Sequence, residues 1–175
     1  MSKPVAEVYA FIDSQNLNLG VKNDVYNKDK IKIYSGWKLD FKKFYFYLKN
    51  KYHVSRAILF IGKVPGNEPL YEYLTSIGYE LEFKPTLSFV DANGDPQTKG
   101  NVDAELVLHT MLELDNFDKA IIVAGDGDYF CLVEYLVKIE KLLHIVISNR
   151  FRYSKLLKPF VKYMVFVTDL EVSLK

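Results

Sequence analysis

The stretch Ala120-Ile121-Ile122-Val123-Ala124-Gly125-Asp126-Gly127-Asp128-Tyr129-Phe130 constrains the fold of this chain more than any other. Five small or apolar residues run into two carboxylates separated by one glycine, and an apolar helical pattern begins directly behind them. Such a run reads as a strand buried on both faces of a parallel sheet. The acids then stand at its carboxyl end, where open α/β sheets hold their ligands. Gly125 and Gly127 suit a tight turn and a close backbone approach, and Asp126 and Asp128 place negative charge where a metal ion can be held. A simpler reading fits the same segment: Asp128 caps the helix that follows.

The remainder alternates strand and helix. Residues 7–12 read as a strand that ends in Asp13-Ser14-Gln15-Asn16, so Asp13 matches Asp126 in position. Asn16 either caps a short helix from Leu17 or reaches back to steady Asp13. Residues 20–38 show no sustained period and read as a loop or irregular insertion. Asp40 is the expected N-cap of an amphipathic helix that buries Phe41, Phe44, Tyr45, Leu48 and Tyr52. Phe46 falls on the opposite side among lysines, as a base-stacking contact, a homodimer contact or a solitary exposed ring. Residues 55–61 and 79–84 give two further strands around a helix that starts near Pro69 and ends at Gly78. Asn93-Gly94-Asp95-Pro96 marks a hairpin tip.

A helix over 102–114 carries Asp103 in its first turn, either aimed at the top of the sheet or serving as a helix-dipole acid, with Val107 on the sheet side. After the Ala120 strand, Tyr129, Leu132, Val133, Leu136 and Val137 repeat at buried helical spacing, and Cys131 reads as buried filler. Residues 143–148 form a fifth strand, 150–162 a short helix, and 164–167 a last edge strand. The expected fold is a three-layer α/β/α sandwich around a mostly parallel sheet of five or six strands, one domain over residues 1–175. In the common doubly wound order strands one and four are neighbours, which brings Asp13 and Asp126 together.

Composition narrows the class. With 49% hydrophobic and 26% charged residues, the chain is an ordinary globular one. No stretch approaches the roughly 20 apolar residues of a membrane span, and the amino terminus lacks a basic-then-apolar leader, so a cytoplasmic setting without a membrane partner is expected. The single cysteine excludes an intrachain disulfide and a zinc ribbon. Charge is uneven along the sequence: residues 22–51 hold nine lysines against three aspartates, and residues 101–140 hold nine acids against two lysines. Arg150, Arg152, Lys155, Lys158 and Lys162 follow with no acid among them. An acidic centre between basic segments suits a polyanion bound through metal ions, although a solvated surface can look the same.

Asp13, Asp103, Asp126 and Asp128 thus all fall on one rim, at strand ends or first helical turns. Four clustered carboxylates repel one another, and a hard divalent cation with oxygen ligands resolves that repulsion. His53, His109 and His144 have no metal-binding spacing.

Phe11-Ile12-Asp13-Ser14-Gln15-Asn16-Leu17, Lys99-Gly100-Asn101-Val102-Asp103 and Ile122-Val123-Ala124-Gly125-Asp126-Gly127-Asp128-Tyr129 resemble, in order and in register, the three signatures of NYN domains, the LabA-like branch of the PIN-like nucleases. The resemblance runs from Val8 to about Leu170. It implies a PIN-like, Rossmann-like central sheet, an acidic cluster that binds one or two Mg²⁺ or Mn²⁺ ions, and cleavage of RNA, single-stranded RNA included. By the same resemblance the metal ligands are Asp13, Asp103 and Asp126, with Asp128 completing the set. Three departures stand out: Asn101 is inserted before the aliphatic-aspartate pair, Ala124 replaces a serine, and Tyr129 replaces a phenylalanine. None removes a carboxylate.

The implied chemistry is metal-assisted hydrolysis of a phosphodiester. Asp13 and Asp126 share an ion that activates water, Asp103 and Asp128 stand near a second that stabilises the leaving oxygen, and Asn16 orients Asp13 or a metal-bound water. Arg150, Arg152 and Lys155 are expected to bind the RNA backbone with help from the lysines of 22–51, and Lys99 either meets the scissile phosphate or is a solvated loop lysine. A rival of another class keeps the PIN-like fold but binds RNA or protein with little or no turnover. A haloacid-dehalogenase-type phosphohydrolase is more remote, because Gln15 stands where that chemistry needs a second aspartate.

Overall fold

The computed structural model describes residues 6–85, 87–90, 96–99 and 102–175. Its centre is a six-stranded sheet in the order β10-β9-β8-β1-β4-β5. These strands are Met164–Phe166, Leu142–Ile147, Lys119–Val123, Val8–Asp13, Val54–Lys63 and Glu80–Pro85 respectively. Every neighbouring pair is parallel. Chain order reverses between β1 and β8, and Ile12 lies between Val123 on one side and Leu59 on the other. Asp13 therefore ends its strand one residue beyond that register, beside the turn that follows Val123.

Period-two alternation explains the two cores. Val8, Ala10 and Ile12 of β1 pack with Leu17 and Val21 of α1 (Ser14–Lys22), Phe44 and Leu48 of α2 (Phe41–Tyr52) and Leu74 of α3 (Glu68–Ile77). Tyr9 and Phe11 face the other way, toward Leu106 of α4 (Asp103–Leu112) and Leu132, Val133 and Leu136 of α5 (Phe130–Lys138). Each face of the sheet is sealed by helices, which is why β1 and β8 are apolar at nearly every position. A short α6 (Glu171–Leu174) packs near α2.

Several local expectations are revised. The stretch 20–38 is not plain loop: it holds the end of α1 and an antiparallel pair, β2 (Val25–Tyr26) with β3 (Lys32–Tyr34), and buries Trp37. At Gly20 a Cβ would sit 1.9 Å from Ser148 Oγ, so this glycine is needed for close approach of α1 to the end of β9. In α4 the buried positions are Leu106 and Thr110, with Val107 only half-buried, because the helix is rotated slightly from the face its aliphatic residues suggest. Cys131 is exposed, on the outer side of α5, and does not fill the core. A hairpin forms from β6 (Leu87–Val90) and β7 (Pro96–Lys99), paired from Leu87 opposite Lys99 to Val90 opposite Pro96. The expected turn at Asn93, Gly94 and Asp95 lies outside the described residues, as does Asn101.

Candidate active site

Three elements far apart in sequence meet at the carboxyl rim between β1 and β8. Asp13, Asp103, Asp126 and Asp128 line one cleft of about 850 Å³, together with Asn16 and Arg152. Asp13 is the last residue of β1 and the cap of α1, its Oδ1 accepting from the Asn16 main-chain N–H at 2.9 Å. Its other oxygen, Oδ2, accepts from the Tyr129 hydroxyl at 2.9 Å, and the same hydroxyl donates to Asp103 Oδ1 at 2.6 Å. Asp126 Oδ2 accepts from Asn16 Nδ2 at 2.8 Å, while Gly125 N–H donates to Asn16 Oδ1 at 3.0 Å. Asn16 is thus neither a helix cap nor a brace for Asp13 through its side chain. Its amide clamps the turn after β8 and one carboxylate oxygen within it.

The capping alternative for the Gly-Asp-Gly-Asp turn fails on geometry. A short 3-10 turn, Gly127–Tyr129, leads into α5, and neither that turn nor α5 has a side-chain cap. Asp128 instead meets Asp103. Neither Gly125 nor Gly127 has a positive φ. What Gly127 supplies is room: a Cβ there would lie 2.7 Å from Ser154 Oγ and 2.9 Å from Leu156 Cδ1, on the segment that closes the far wall of the cleft.

Burial and like charges shape the electrostatics of this cluster. Asp13 is only 4% exposed, and burial pushes its carboxyl up, aided by Asp103 and Asp126 and opposed by the Asn16 and Tyr129 hydrogen bonds. The hydrogen-bonded contact with Asp103, and then its charge, raise Asp128 as well. Burial and the neighbouring Asp13 charge drive the Tyr129 hydroxyl far up, so it stays protonated and donates. One hydroxyl hydrogen here serves two carboxylates. Among the described residues, no Lys or Arg forms an ion pair with Asp13, Asp126 or Asp128.

Whether these residues suit a divalent cation turns on that arrangement. Among the described residues no three acidic, histidine or cysteine side chains stand as a ready-made ligand set. The Tyr129 hydroxyl between Asp13 and Asp103, and the Asn16 amide on Asp126, engage one oxygen of each of those carboxylates. Yet the donors are all carboxylate oxygens, the hard type that Mg²⁺ and Mn²⁺ take, and a buried Asp13 with no ion pair among the described residues is what a cation would relieve. The donor chemistry fits a hard ion, and the Tyr129 and Asn16 hydrogen bonds compete with it for carboxylate oxygens.

Both raised carboxyls give a pH dependence with a definite sign. In the folded, metal-free protein Asp13 and Asp128 hold protons more tightly than in the unfolded chain. Their contribution to stability is full below the unfolded value and is lost as pH rises through the raised values. A cation held there would compete with those protons, so a Mn²⁺-induced rise in melting temperature is expected to grow as pH rises from the ordinary aspartate value through the raised values. A shift that is constant or shrinks over that range, in melts with and without Mn²⁺, would contradict the assignment.

The basic residues separate into distinct environments. Arg152 lines the cleft and is exposed. Arg150 forms an ion pair with Asp169 and lies 4.9 Å over the Phe166 ring, so it is tied to the edge of the sheet. Lys155 is exposed at the start of the 3-10 helix Lys155–Tyr163, outside the cleft wall. Lys99 ends β7, and its side chain lies outside the described residues. Sequence reasoning missed the Tyr129 hydroxyl as a site group, because its position in the buried spacing made it look like core. The departure from phenylalanine was the available signal.

A doubly wound parallel sheet with an acidic rim at its reversal point defines an α/β domain of the Rossmann-like, PIN-like class. Residues 7–165 match the NYN domain family, and the chain belongs to it. NYN domains are part of the PIN-like nuclease superfamily; they generally bind RNA, and nucleases of this kind generally use divalent metal ions. A crystal structure of a protein of unknown function from Vibrio parahaemolyticus has a similar fold, with a TM-score of 0.66 and 22% identity over 95% of this chain and 96% of that one. Comparison with curated proteins finds no match. No helix among the described residues is long and apolar enough to cross a membrane.

Proposed function

We propose that this chain is a ribonuclease that hydrolyses RNA phosphodiesters at the Asp13–Asp103–Asp126–Asp128 rim, with Mg²⁺ or Mn²⁺ as cofactor. The observation that carries the reading is the convergence itself: three distant segments are joined by the Tyr129 bridge between Asp13 and Asp103 and by the Asn16 bridge to Asp126. When bound, a hard cation supplies charge neutralisation for the phosphate and acidifies the attacking water. The chain's own part is to hold and orient. Asp13, Asp103, Asp126 and Asp128 would supply the ligand oxygens, Asn16 fixes the direction of Asp126, and Arg152, which lines the same cleft, meets the incoming backbone.

Incubation of a single-stranded oligoribonucleotide with the protein tests this directly. Cleavage is expected with Mn²⁺ or Mg²⁺ and none with a chelator. The products should lack a 2′,3′-cyclic phosphate, because water and not the 2′-hydroxyl is the nucleophile. Chelator-insensitive cutting or cyclic ends would contradict the reading. The rival, a PIN-like domain that binds RNA or protein without turnover, is favoured by one observation: the Tyr129 hydroxyl already engages an oxygen on two of the four acids.

The positions of the arginines make a separable prediction for RNA binding. Arg152→Gln should weaken single-strand affinity and reduce the slope of log K against log salt by about 0.7, the release accompanying one phosphate contact. Arg150→Gln should leave that slope unchanged and lower stability slightly, since the residue is held by Asp169 and Phe166. Equal effects of the two substitutions on the salt slope, measured by fluorescence anisotropy, would mean that the cleft wall does not select the binding arginine.

A further inference from the structure

A second cavity, of about 970 Å³, opens beside the acidic cleft on the other side of α1. Gln15 and Leu19, on successive turns of α1, line both spaces, so a ridge one helix wide separates them. Its floor is apolar: Leu59 and Ile61 from the end of β4, with Leu74 from α3. Its outer wall keeps Tyr73 and Leu70 exposed, at 45% and 42%, although both belong to a helix whose other face is in the core. The mouth carries three exposed carboxamides, Gln15, Asn18 and Asn67, whose side chains make no hydrogen bond among the described residues. Lys38 is also at the mouth and has no ion pair among the described residues. Among the described residues the one acidic side chain on the wall, Asp40, is engaged in capping α2, its Oδ1 accepting from the main-chain N–H groups of Lys42 at 2.8 Å and Lys43 at 3.0 Å.

We infer that this cavity takes a nucleobase of the RNA whose scissile phosphate lies in the acidic cleft. The inference rests on the ribonuclease reading above and extends it to the recognition of a neighbouring nucleotide. A heteroaromatic base needs apolar walls, a ring to stack on, and groups that can both donate and accept at its edge. Tyr73, the apolar floor and the three amides supply these, and an amide offers a donor and an acceptor together. Continuity argues for the same strand: the two spaces share the Gln15–Leu19 ridge, so the backbone can cross it while Lys38 faces a phosphate. The cavity falls at the upper end of the size range of small-ligand sites, roughly 300–1,000 Å³.

The test walks a single abasic ribonucleotide along an oligoribonucleotide and measures kcat/KM with Mn²⁺ for wild type and for Tyr73→Ala. For wild type, one abasic position near the cut should lower kcat/KM by about tenfold, the loss of one stacked base. Tyr73→Ala should cleave the unmodified strand about tenfold less efficiently and show no further loss at that abasic position. The residue is exposed, so its melting temperature should match wild type and exclude a folding defect. A flat abasic profile with normal cleavage would overturn the base pocket alone, leaving the cavity to a peptide or another ligand. Failure of wild type to cleave RNA under any metal condition would overturn the nuclease reading, and the pocket with it.

Discussion

Asp126→Asn is expected to abolish RNA cleavage while leaving the fold intact. Asparagine keeps the shape of the side chain and an oxygen that can still accept from Asn16 Nδ2, so the clamp on the turn after β8 survives. It removes the charge that holds a hard cation, and affinity for the ion should fall steeply. Stability should not fall with it. Without metal the clustered acids repel one another, Asp126 being among the groups that raise Asp13, and neutralising one of them relieves the repulsion. The metal-free variant should therefore melt at or above metal-free wild type. The stabilisation expected of wild type in millimolar Mn²⁺, through preferential binding to the folded state, should be lost. A variant that keeps both its Mn²⁺ shift and its cleavage rate would remove Asp126 from the site.

Tyr129→Phe should have the opposite signature. The hydroxyl is buried and donates to Asp13 and Asp103, so its loss leaves a buried carboxylate short of a donor. The expected cost to the metal-free protein is roughly 1–3 kcal/mol, or a melting temperature lower by roughly 3–9 °C for a domain of this size. The ring itself stays, so the packing against α4 and the sheet is preserved. Mn²⁺ should then stabilise the variant more than it stabilises wild type, because the two carboxylate oxygens are released from the bridge and the cation replaces the missing donor. Cleavage should persist, as the resemblance to phenylalanine-bearing NYN domains implies. An Mn²⁺ shift no larger than that of wild type would show that the bridge does not compete with the ion.

These two substitutions also mark the boundary of what the sequence discloses. The alternation of apolar strands with capped helices was enough to place Asp13 and Asp126 on one rim, because a strand buried on both faces is apolar at every position and its carboxyl end is then unambiguous. Asp103 followed from its place in a first helical turn. The links between the acids were not legible. Tyr129 occupies a buried helical position, and periodicity reports the ring but is silent on the direction of the hydroxyl. Asn16 lies 110 residues from Asp126, and no local pattern ties an amide to a partner at that distance.

The different surroundings of the two arginines were not legible for a related reason. A run of basic residues looks uniform in sequence, yet Arg150 meets Asp169 after the chain has passed through β10, whereas Arg152 lines the cleft. The β2–β3 pair was missed because its strands are two and three residues long, too short for a period-two pattern to register. Cys131 was misplaced by one helical position, which suffices to turn a small side chain from the core to solvent.

Crystals grown with Mn²⁺ and measured at the manganese absorption edge would test the central claim most directly. An anomalous peak is expected in the cleft between β1 and β8, about 2.1 Å from carboxylate oxygens of Asp13 and Asp126, with the Tyr129 hydroxyl displaced from at least one of its two carboxylates. A peak confined to other acidic residues, or none in the cleft at millimolar Mn²⁺ and neutral pH, would contradict it.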